Sequence, residues 1–338
     1  MGEAKTVKCL VWDLDNTLWD GTLLEDAAVT LRPRAAEVLQ ELDRRGILLS
    51  VASKNEPGDA LSKLRELGLE DYFLVPQIGW GSKADSVAEI AKRLNLGLDT
   101  FAFIDDQPAE REEVVFGNPE VRAYDAAQYW EVLALPEFMP RFVTEDARLR
   151  RQMYREDLSR GDAETDFSGS REDFLRTLGM ELSLAPVASG DLERVEELTL
   201  RTSQLNSTGA VFSYEALCGF IESPNHLFLV AELGDKFGHY GKIGLVLAEK
   251  GEKSLRIKLL LMSCRVMTRG VGSALLCWLT GYADREGLTL EADFVPTSRN
   301  RIMYITYKLM GFEDVDGILR YSGGARDIPD YLRLESMI

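Results

Sequence analysis

The sequence predicts a two-domain α/β protein whose first domain is built on a parallel sheet. Apolar, strand-like runs alternate with helix-like runs through the first half of the 338 residues, as in strands joined by right-handed crossovers. Polar residues follow these apolar runs directly, and a parallel sheet would collect them along the edge where ligands bind. A chain of this length is long for one domain and comfortable for two.

The first strand-like run, residues 8–12, leads into an acidic loop that contains Asp13, Asp15 and Thr17. Residues two apart on an extended chain point the same way, so Asp13 and Asp15 can face one site. The pair suits a hard cation such as Mg²⁺, and one carboxylate can attack phosphorus as a nucleophile. Because the string is short, a strand followed by an ordinary acidic turn is the alternative.

The next elements are expected to be a helix, a strand, two more helices and a strand, over residues 33–45, 47–52, 59–68, 82–94 and 101–104. The two strands end in Ser53 and in Asp105-Asp106. Ser53 can hydrogen-bond a phosphoryl oxygen, and Asp105 or Asp106 can complete a metal shell. Lys83 opens a helix and can supply a fixed positive charge beside the nucleophile.

The chain resembles the haloacid dehalogenase (HAD) superfamily phosphotransferases at all four of their motifs, in order. The matching residues are Asp13-Leu-Asp15-Asn-Thr17, Ser53, Lys83 and Asp105-Asp106. The resemblance implies that Asp13 is the nucleophile. It implies that Asp15 is the general acid/base and also lends its backbone carbonyl to the metal. The metal ligands would be Asp13, Asp15 and one of Asp105 and Asp106, with Asp106 preferred.

Three longer stretches, residues 8–19, 53–55 and 104–112, look like the FkbH family. This resemblance implies an enzyme that loads glyceryl units from 1,3-bisphosphoglycerate onto an acyl carrier protein in polyketide-type biosynthesis, with Mg²⁺ as cofactor. The phosphate-binding residues that it implies are Thr17, Ser53, Lys54 and Asn55.

The chain departs from the family pattern at two places. Ala52 stands where family members often have cysteine, and the stretch after Trp19 is short. A short stretch predicts a reduced lid over the site. An open site would admit a macromolecular substrate, and it would equally suit a promiscuous phosphatase.

Composition excludes several classes of function. The formal net charge is −17, so nonspecific binding to nucleic acid is not expected. No apolar run approaches the roughly 20 residues that span a bilayer, and the first residues show no apolar signal region, so a cytoplasmic protein without a membrane partner is expected. The four cysteines are widely spread, which argues against a zinc site or a disulfide framework.

The predicted domains are a HAD-like domain over residues 1–144, a helical linker over 145–172 and an acyltransferase-like domain over 173–338. The linker contains a helix-like run, 147–158, that is rich in arginine. It can be a solvated connecting helix or a docking face for an acidic carrier protein. The arginines concerned are Arg148, Arg150, Arg151 and Arg155.

The second half is expected to contain strands over residues 180–186, 227–231, 242–247, 255–262 and 288–294, and helices over 192–201 and 275–285, with a last helix ending near residue 312. The run 269–274 matches an R-x-x-G-x-G/A loop, and with residues 307–312 it resembles the Gcn5-related N-acetyltransferase (GNAT) fold, which is mixed α/β. The resemblance implies that Arg269, Gly270 and Gly272 form a backbone N–H cradle for a pyrophosphate or a phosphopantetheine arm.

The FkbH resemblance continues through residues 198–206, 235–238 and 263–266, and adds Gln204 and Asn206 as binding candidates. Cys264 is expected to lie at the end of a strand, just before the glycine loop. It can carry an acyl group as a thioester, or it can be a small buried thiol.

The remaining candidates are less specific. Cys9, Cys218 and Cys277 lie in apolar patterns and are expected in the core. His239, in the glycine-rich stretch 235–241, can be a general base or an exposed loop residue, and the loop position is preferred.

The sequence as a whole favours a glyceryl transferase of the FkbH type. Such an enzyme would take a phosphoglyceryl group onto Cys264, remove its phosphate at Asp13 with Mg²⁺, and pass the glyceryl group to a carrier protein's phosphopantetheine thiol. Two alternatives stay open. One is a Mg²⁺ phosphatase fused to a coenzyme-A-dependent acyltransferase; the other is a phosphatase fused to a non-catalytic carrier-docking domain.

Overall fold

The computed structural model describes residues 6–26, 28–324 and 326–338. The chain divides into two compact units, of which the first ends at Leu158 and the second begins at Ser159. This division falls within residues 145–172, which the sequence assigns to the linker. In the described part of the chain, no helix is both long enough and apolar enough to cross a bilayer.

The first unit contains the parallel sheet that the sequence predicts. Its described strands are β1 (Cys9–Trp12), β2 (Trp19–Asp20), β3 (Thr30–Leu31), β4 (Leu48–Ser53), β5 (Gln77–Ile78), β6 (Phe101–Asp105) and β7 (Arg122–Asp125). Five of them pair in the parallel order β5-β4-β1-β6-β7, while β2 and β3 form a separate antiparallel pair. Only residues 21–29 connect β2 and β3, which is the small lid that the sequence predicts.

The helices of this unit are α1 (Ala35–Arg44), α2 (Pro57–Glu66), α3 (Lys83–Arg93), α4 (Pro108–Gly117) and α5 (Glu145–Arg148), followed by α6 (Arg150–Asp166), which continues into the second unit. The hydroxyl of Ser82 accepts a hydrogen bond from the Asp85 amide (3.3 Å). Ser82 is therefore the N-cap of α3, whose first residue is Lys83. Gly46, with φ of 70°, ends α1 as expected. Pro33 lies two residues before α1 and not in its first turn, because Arg34 adopts a left-handed conformation.

Strand β1 lies at the centre of the sheet and is covered on both faces. Leu10 and Trp12 pack into one apolar cluster, and Cys9 and Val11 pack into another on the opposite face. All four side chains are fully buried. A strand buried on both faces must be apolar at every position, which explains the continuous apolar run in the sequence.

The arginines of α6 are used within the first unit. Arg150 donates to a backbone carbonyl in the α1–β4 turn (2.9 Å), Arg151 pairs with Asp43 (2.9 Å), and Arg155 pairs with Asp71 (2.8 Å). These contacts favour the connecting-helix interpretation of residues 147–158 over the docking face, because Arg151 and Arg155 each have a carboxylate partner and Arg150 has a carbonyl partner. Arg148 is exposed.

The second unit is a mixed α/β structure with an eight-stranded sheet. Its described strands are β8 (Met180–Pro186), β9 (His226–Asp235), β10 (Gly238–Lys250), β11 (Ser254–Met262), β12 (Thr289–Ala292), β13 (Phe312–Val315), β14 (Ile318–Tyr321) and β15 (Leu332–Ser336). They lie in the order β13-β14-β12-β11-β10-β9-β8-β15. The helices are α7 (Arg171–Leu178), α8 (Leu192–Arg201), α9 (Tyr214–Glu222), α10 (Val271–Arg285) and α11 (Arg301–Leu309).

Strands β11 and β12 pair in parallel only as far as Ile257 and Ala292, and then they separate. Residues 205–207 occupy the edge of β11 that β12 leaves. The Ser207 amide donates to the Leu260 carbonyl (3.0 Å), and the Val295 amide donates to the Ser207 carbonyl (3.1 Å). The gap between the two strands is thus closed by the chain itself.

The side chain of Asn300 holds residues 205–207 in place by hydrogen bonds. Its side-chain amide, fully buried, donates to the carbonyls of Asn206 (3.0 Å) and Val295 (3.0 Å) and accepts from the Thr297 amide (2.8 Å). We expect Asn300→Ala to destabilise the second unit by about 1 to 3 kcal/mol, because it leaves buried polar groups without partners.

Hydrogen exchange at the Ser207 amide measures this effect, since that amide bonds to β11. Protection should fall in Asn300→Ala and stay at the wild-type level in Asn225→Ala, which changes an exposed asparagine in the turn before β9. Equal protection in all three proteins would show that Asn300 does not hold the segment.

Candidate active site

Asp13 and Asp15 follow β1 at the carboxyl end of the parallel sheet. The Asp13 amide donates to the Ile104 carbonyl of β6 (3.0 Å), which fixes the loop against the neighbouring strand. The Asp13 side chain is almost completely buried. Asp13 therefore lies where a parallel sheet places its ligands, as the sequence predicts.

Lys83 brings three carboxylates together in the first unit. Its ammonium nitrogen lies 2.8 Å from Asp13 Oδ1 and 2.5 Å from Asp105 Oδ2, and it also contacts Glu110 Oε2. The lysine is only 2% exposed, so these carboxylates replace water as the partners of its charge. The predicted neighbourhood of Lys83 and Asp13 is present.

The pKa values reflect burial first and the neighbouring charges second. Burial, and after it the charge of Asp13, raises the pKa of Asp105 to about 7. The charge of Lys83 acts in the opposite direction and lowers this pKa. Burial raises the pKa of Asp13 as well, and Lys83 counteracts it. Burial alone would lower the pKa of Lys83, but the charges of Asp13 and Asp105 raise it. Lys83 consequently stays a cation.

Three donors clamp the carboxylate of Asp15. The Trp19 indole N–H (2.7 Å) and the Leu23 amide (3.1 Å) donate to Oδ1, and the Asn55 side-chain amide donates to Oδ2 (2.9 Å). Leu23 belongs to the lid segment, so the lid's backbone touches the site directly. The clamp fixes the orientation of Asp15, which a group that moves a proton at one atom requires.

The four predicted phosphate-binding residues differ in the contacts that they make. Ser53 is buried at the end of β4, and its Oγ has no hydrogen-bond partner among the described residues. Thr17 and Asn55 are fully buried and serve the loops instead, since Thr17 Oγ1 accepts from the Asp106 amide (3.1 Å) and Asn55 holds Asp15. Lys54 pairs with Glu110 (2.9 Å).

Glu110 is the site residue that the sequence prediction missed. It lies in the first turn of α4, is 8% exposed and contacts both Lys83 and Lys54. These two lysines lower its pKa despite its burial. The available signal was its position: it follows Asp106 by four residues, just after the proline that opens a helix.

The donor set fits a divalent cation. Asp13, Asp105 and Glu110 have carboxylate oxygens within 4.8 Å of one another, but the Lys83 ammonium already lies on all three. Asp106 differs, because its buried Oδ1 has no hydrogen-bond partner among the described residues. Hard oxygen donors of this kind suit Mg²⁺. Asp106 Oδ1 is thus a carboxylate oxygen that stays available to a cation, in addition to the cluster of Asp13, Asp105 and Glu110.

Local charge supports the same conclusion. The site contains two lysines against five carboxylates, namely Lys54 and Lys83 against Asp13, Asp15, Asp105, Asp106 and Glu110. This excess of negative charge disfavours a phosphate ester unless a further cation offsets it.

We expect Asp106→Asn to weaken Mg²⁺ binding about tenfold or more, because it removes a charged oxygen ligand. Asp105→Asn is the matched comparison, and it should weaken binding less, since Asp105 is occupied by Lys83. Isothermal titration with Mg²⁺ alone measures both. A larger loss with Asp105→Asn would assign the metal to Asp105.

In the second unit, Gly270 and Gly272 open α10 as predicted, but packing also requires them. Gly270 has φ of 76°, and a Cβ there would lie 2.5 Å from Tyr331 Oη. A Cβ on Gly272 would lie 3.1 Å from Met262 Cε. The first intrahelical bond runs from the Ala274 amide to the Gly270 carbonyl, so the three intervening amides are those available to an anion.

Two of the predicted binding side chains are not available to such an anion. Arg269 is buried and pairs with Glu164 (3.0 Å). Asn206 is fully buried, and its side chain bonds to backbone groups of its own loop. We therefore remove both as ligand contacts, whereas Gln204 is exposed next to that loop.

Cys264 and His239 lie in different elements of the second unit. Cys264 begins a 3-10 turn two residues after β11 and is half-buried. The prediction that it ends the strand is off by two residues, and the neighbouring Arg265 donates to the Tyr240 carbonyl (2.6 Å). His239 is exposed near the start of β10, in a hairpin with β9, and not in a loop.

A shallow pocket of about 250 Å³ is lined by His239 with Glu181, Glu232 and Glu335, and neither Cys264 nor residues 269–274 line it. Cys9 and Cys277 are buried, as expected for core thiols, and Cys218 is partly buried against the core.

Comparison with known proteins agrees with the first unit's geometry. Residues 22–112 match the family model of haloacid dehalogenase-like hydrolases. A search of curated protein sequences gave no match.

Among solved structures, the N-terminal part of the protein BF1531 from Bacteroides fragilis, containing a phosphatase domain complexed with Mg, is 32% identical over 38% of this chain and 40% of that one, with a TM-score of 0.35. A HAD-superfamily hydrolase from Ehrlichia chaffeensis is 13% identical over 38% of this chain and 95% of that one (TM-score 0.32). The PaiA N-acetyltransferase from Thermoplasma acidophilum, in complex with coenzyme A, is 18% identical over 41% of this chain and 98% of that one (TM-score 0.34).

The chain thus spans 40% of the length of the Bacteroides structure, and each of these alignments covers less than half of the chain itself. The family match lies in the unit that holds the carboxylate–lysine site. Residues 22–112 of the first unit thus match the haloacid dehalogenase-like hydrolase family, and the second unit is a mixed α/β domain.

Proposed function

We propose that this protein transfers a glyceryl unit from 1,3-bisphosphoglycerate to the phosphopantetheine thiol of an acyl carrier protein, and that its first unit removes the remaining phosphate. The observation that carries the phosphatase part is the buried Lys83 ammonium beside Asp13, at the carboxyl end of a parallel sheet. The choice of substrate and carrier rests on the resemblance of residues 8–19, 53–55 and 104–112 to the FkbH family.

The first step is acyl transfer. The Cys264 thiol attacks the acyl-phosphate carbonyl, the carbon–oxygen bond to phosphate breaks, and the thiol proton passes to solvent as inorganic phosphate leaves. The product is a phosphoglyceryl thioester on Cys264. The half-buried position of this thiol, just after β11 and before α10, supports the assignment.

The second step is dephosphorylation. An Asp13 oxygen attacks the phosphorus of the monoester, the phosphorus–oxygen bond to the glyceryl group breaks, and Asp15 donates a proton to the departing oxygen. Water then attacks the aspartyl phosphate, Asp15 takes its proton, and phosphate leaves. Lys83 and the Ser53 hydroxyl stabilise charge on the phosphoryl oxygens.

Mg²⁺ held by Asp13, Asp106 and the Asp15 carbonyl would supply further positive charge for the phosphoryl oxygens. In the last step the carrier's pantetheine thiol attacks the Cys264 thioester, so that the glyceryl group moves to the carrier and the cysteine thiol is restored. The amides that open α10 can bind the phosphate of the pantetheine arm.

Intact-protein mass spectrometry of the carrier tests this function. Wild-type protein with 1,3-bisphosphoglycerate, Mg²⁺ and a phosphopantetheinylated carrier should give a glyceryl adduct on the carrier, and Cys264→Ala should give none. The matched control is Cys277→Ala, which removes a buried thiol in α10 and should leave the loading reaction unchanged.

The outcomes separate the alternatives. Loading that survives Cys264→Ala would remove the cysteine relay and leave a carrier-docking domain beside a phosphatase. Absence of loading with every carrier tried, together with acylation of a small acceptor from acyl-coenzyme A, would favour the phosphatase fused to a coenzyme-A-dependent acyltransferase.

A further inference from the structure

Helix α11 carries an apolar stripe that the second unit leaves uncovered. Ile302, Ile305 and Leu309 are 38%, 44% and 71% exposed, and steps of three and four residues place them on one helix face. The face that packs inward is formed instead by Met303 and Tyr307. Contiguous exposed aliphatic side chains of this kind mark an interaction site more often than a plain surface.

Cationic side chains line this stripe. Arg301 and Lys308 are exposed and seven residues apart, so they lie on the same side of α11. Arg299 precedes the helix, and Arg326 Nη1 donates to the Leu309 carbonyl at its end (2.8 Å). Asp314 pairs with one member of this row, because its carboxylate lies 3.4 Å from Lys308 Nζ, and it also accepts from the Tyr304 hydroxyl (2.7 Å).

The helix dipole favours Lys308, which lies in the last turn of α11, but it does not explain Arg301. Arg301 is the first residue of α11, where the helix dipole disfavours positive charge, and the described first turn contains no acidic side chain to compensate. The whole chain has a formal net charge of −17, so a basic edge stands out against its surroundings. Cations around an apolar stripe complement a partner that presents carboxylates around apolar side chains.

The stripe lies next to the amides that open α10. A Cβ built on Gly272 would lie 3.6 Å from Thr306 Cγ2, and Thr306 lies between Ile302 and Leu309 on α11. A partner that inserts a phosphate-bearing arm at the first turn of α10 would therefore rest its body on α11. The alternative basic surface, on α6, is already paired within the first unit.

We propose that the α11 face, formed by Arg299, Arg301, Ile302, Ile305, Lys308 and Leu309, docks the acidic carrier protein that receives the acyl group. This proposal rests on the proposed function, and it names the surface that the carrier binds. The apolar stripe supplies buried area, and the cations select an acidic partner and fix its orientation.

The test measures the KM for a phosphopantetheinylated carrier protein in the loading reaction, and in parallel the release of phosphate from a small phosphate monoester. Leu309→Glu and Arg301→Glu should each raise the carrier KM by about tenfold or more, with little change in kcat. Phosphate release should stay at the wild-type rate, since it uses the first unit.

The matched controls are Leu200→Glu on α8, where the leucine is 58% exposed, and Arg333→Glu on β15. Both should keep the wild-type carrier KM. Wild-type KM values in Leu309→Glu and Arg301→Glu would overturn the docking surface while leaving the proposed function intact. Failure of the wild-type protein to load any carrier would overturn the proposed function, and the docking proposal with it.

Discussion

Asp13→Asn is expected to abolish phosphate release, with a loss of at least about 10³-fold in kcat. The amide cannot attack phosphorus, and it also removes one of the charges that hold the Lys83 ammonium at 2.8 Å. Because asparagine has nearly the same shape, the buried loop after β1 should keep its conformation. A continuous phosphate assay with a small monoester and Mg²⁺ measures the effect.

Asp284→Asn is the control for this change, since Asp284 is exposed on α10 in the second unit. It should release phosphate at the wild-type rate. If Asp13→Asn retained activity within tenfold of the wild type, the nucleophile would have to be another group, and the assignment of Asp13 would be wrong.

Lys83→Met should lose both activity and stability. The buried ammonium contacts Asp13, Asp105 and Glu110, and without it three carboxylates face one another in a site with little water. Breaking a buried charge pair in this way costs about 3 to 5 kcal/mol of unfolding free energy. Loss of a fixed charge beside the phosphoryl group costs about 10² to 10³ in kcat.

Urea unfolding and the phosphate assay separate the two effects. Lys92→Met, an exposed position on the same helix, should change stability by no more than about 0.5 kcal/mol. Adding Asp105→Asn to Lys83→Met removes one buried negative charge, and it should restore part of the stability but none of the activity. A Lys83→Met protein that unfolds like the wild type would contradict this electrostatic description.

Local patterns were sufficient to predict the frame of the first unit. The continuous apolar runs at β1, β4 and β6 require burial on both faces, and polar residues directly after them must lie at one sheet edge. Asp13, Ser53 and Asp105 were predicted at the site for this reason, whereas Lys83 was predicted because it opens a helix. Ser82, directly before Lys83, also allowed the start of α3 to be predicted from the sequence.

Ion-pair partners could not be predicted in the same way, because they depend on tertiary contacts. Glu110 joins the site only because α4 returns beside α3, and neither strand periodicity nor a short motif encodes that approach. The arginines of α6 illustrate the same limit. The sequence left open whether they form a solvated connecting helix or a docking face, and it could not show that Arg151 and Arg155 pair with Asp43 and Asp71, far away in the sequence.

The glycines of the second unit show a different limit. A glycine loop before a helix predicts an anion cradle, but Gly270 is also required by its positive φ and by Tyr331. The arginine of this loop, Arg269, forms an ion pair with Glu164. Such a motif therefore locates the helix start reliably, while the ligand has to be established by experiment.

The central claim is that one unit removes the phosphate from a group that the other unit transfers. The most direct measurement is the intact mass of Asp13→Asn after reaction with 1,3-bisphosphoglycerate and Mg²⁺, compared with the wild-type protein. We predict a phosphoglyceryl adduct on Asp13→Asn and a glyceryl adduct, without the phosphate, on the wild type. The same adduct on both proteins would contradict the account, because Asp13 would then have no part in removing the phosphate.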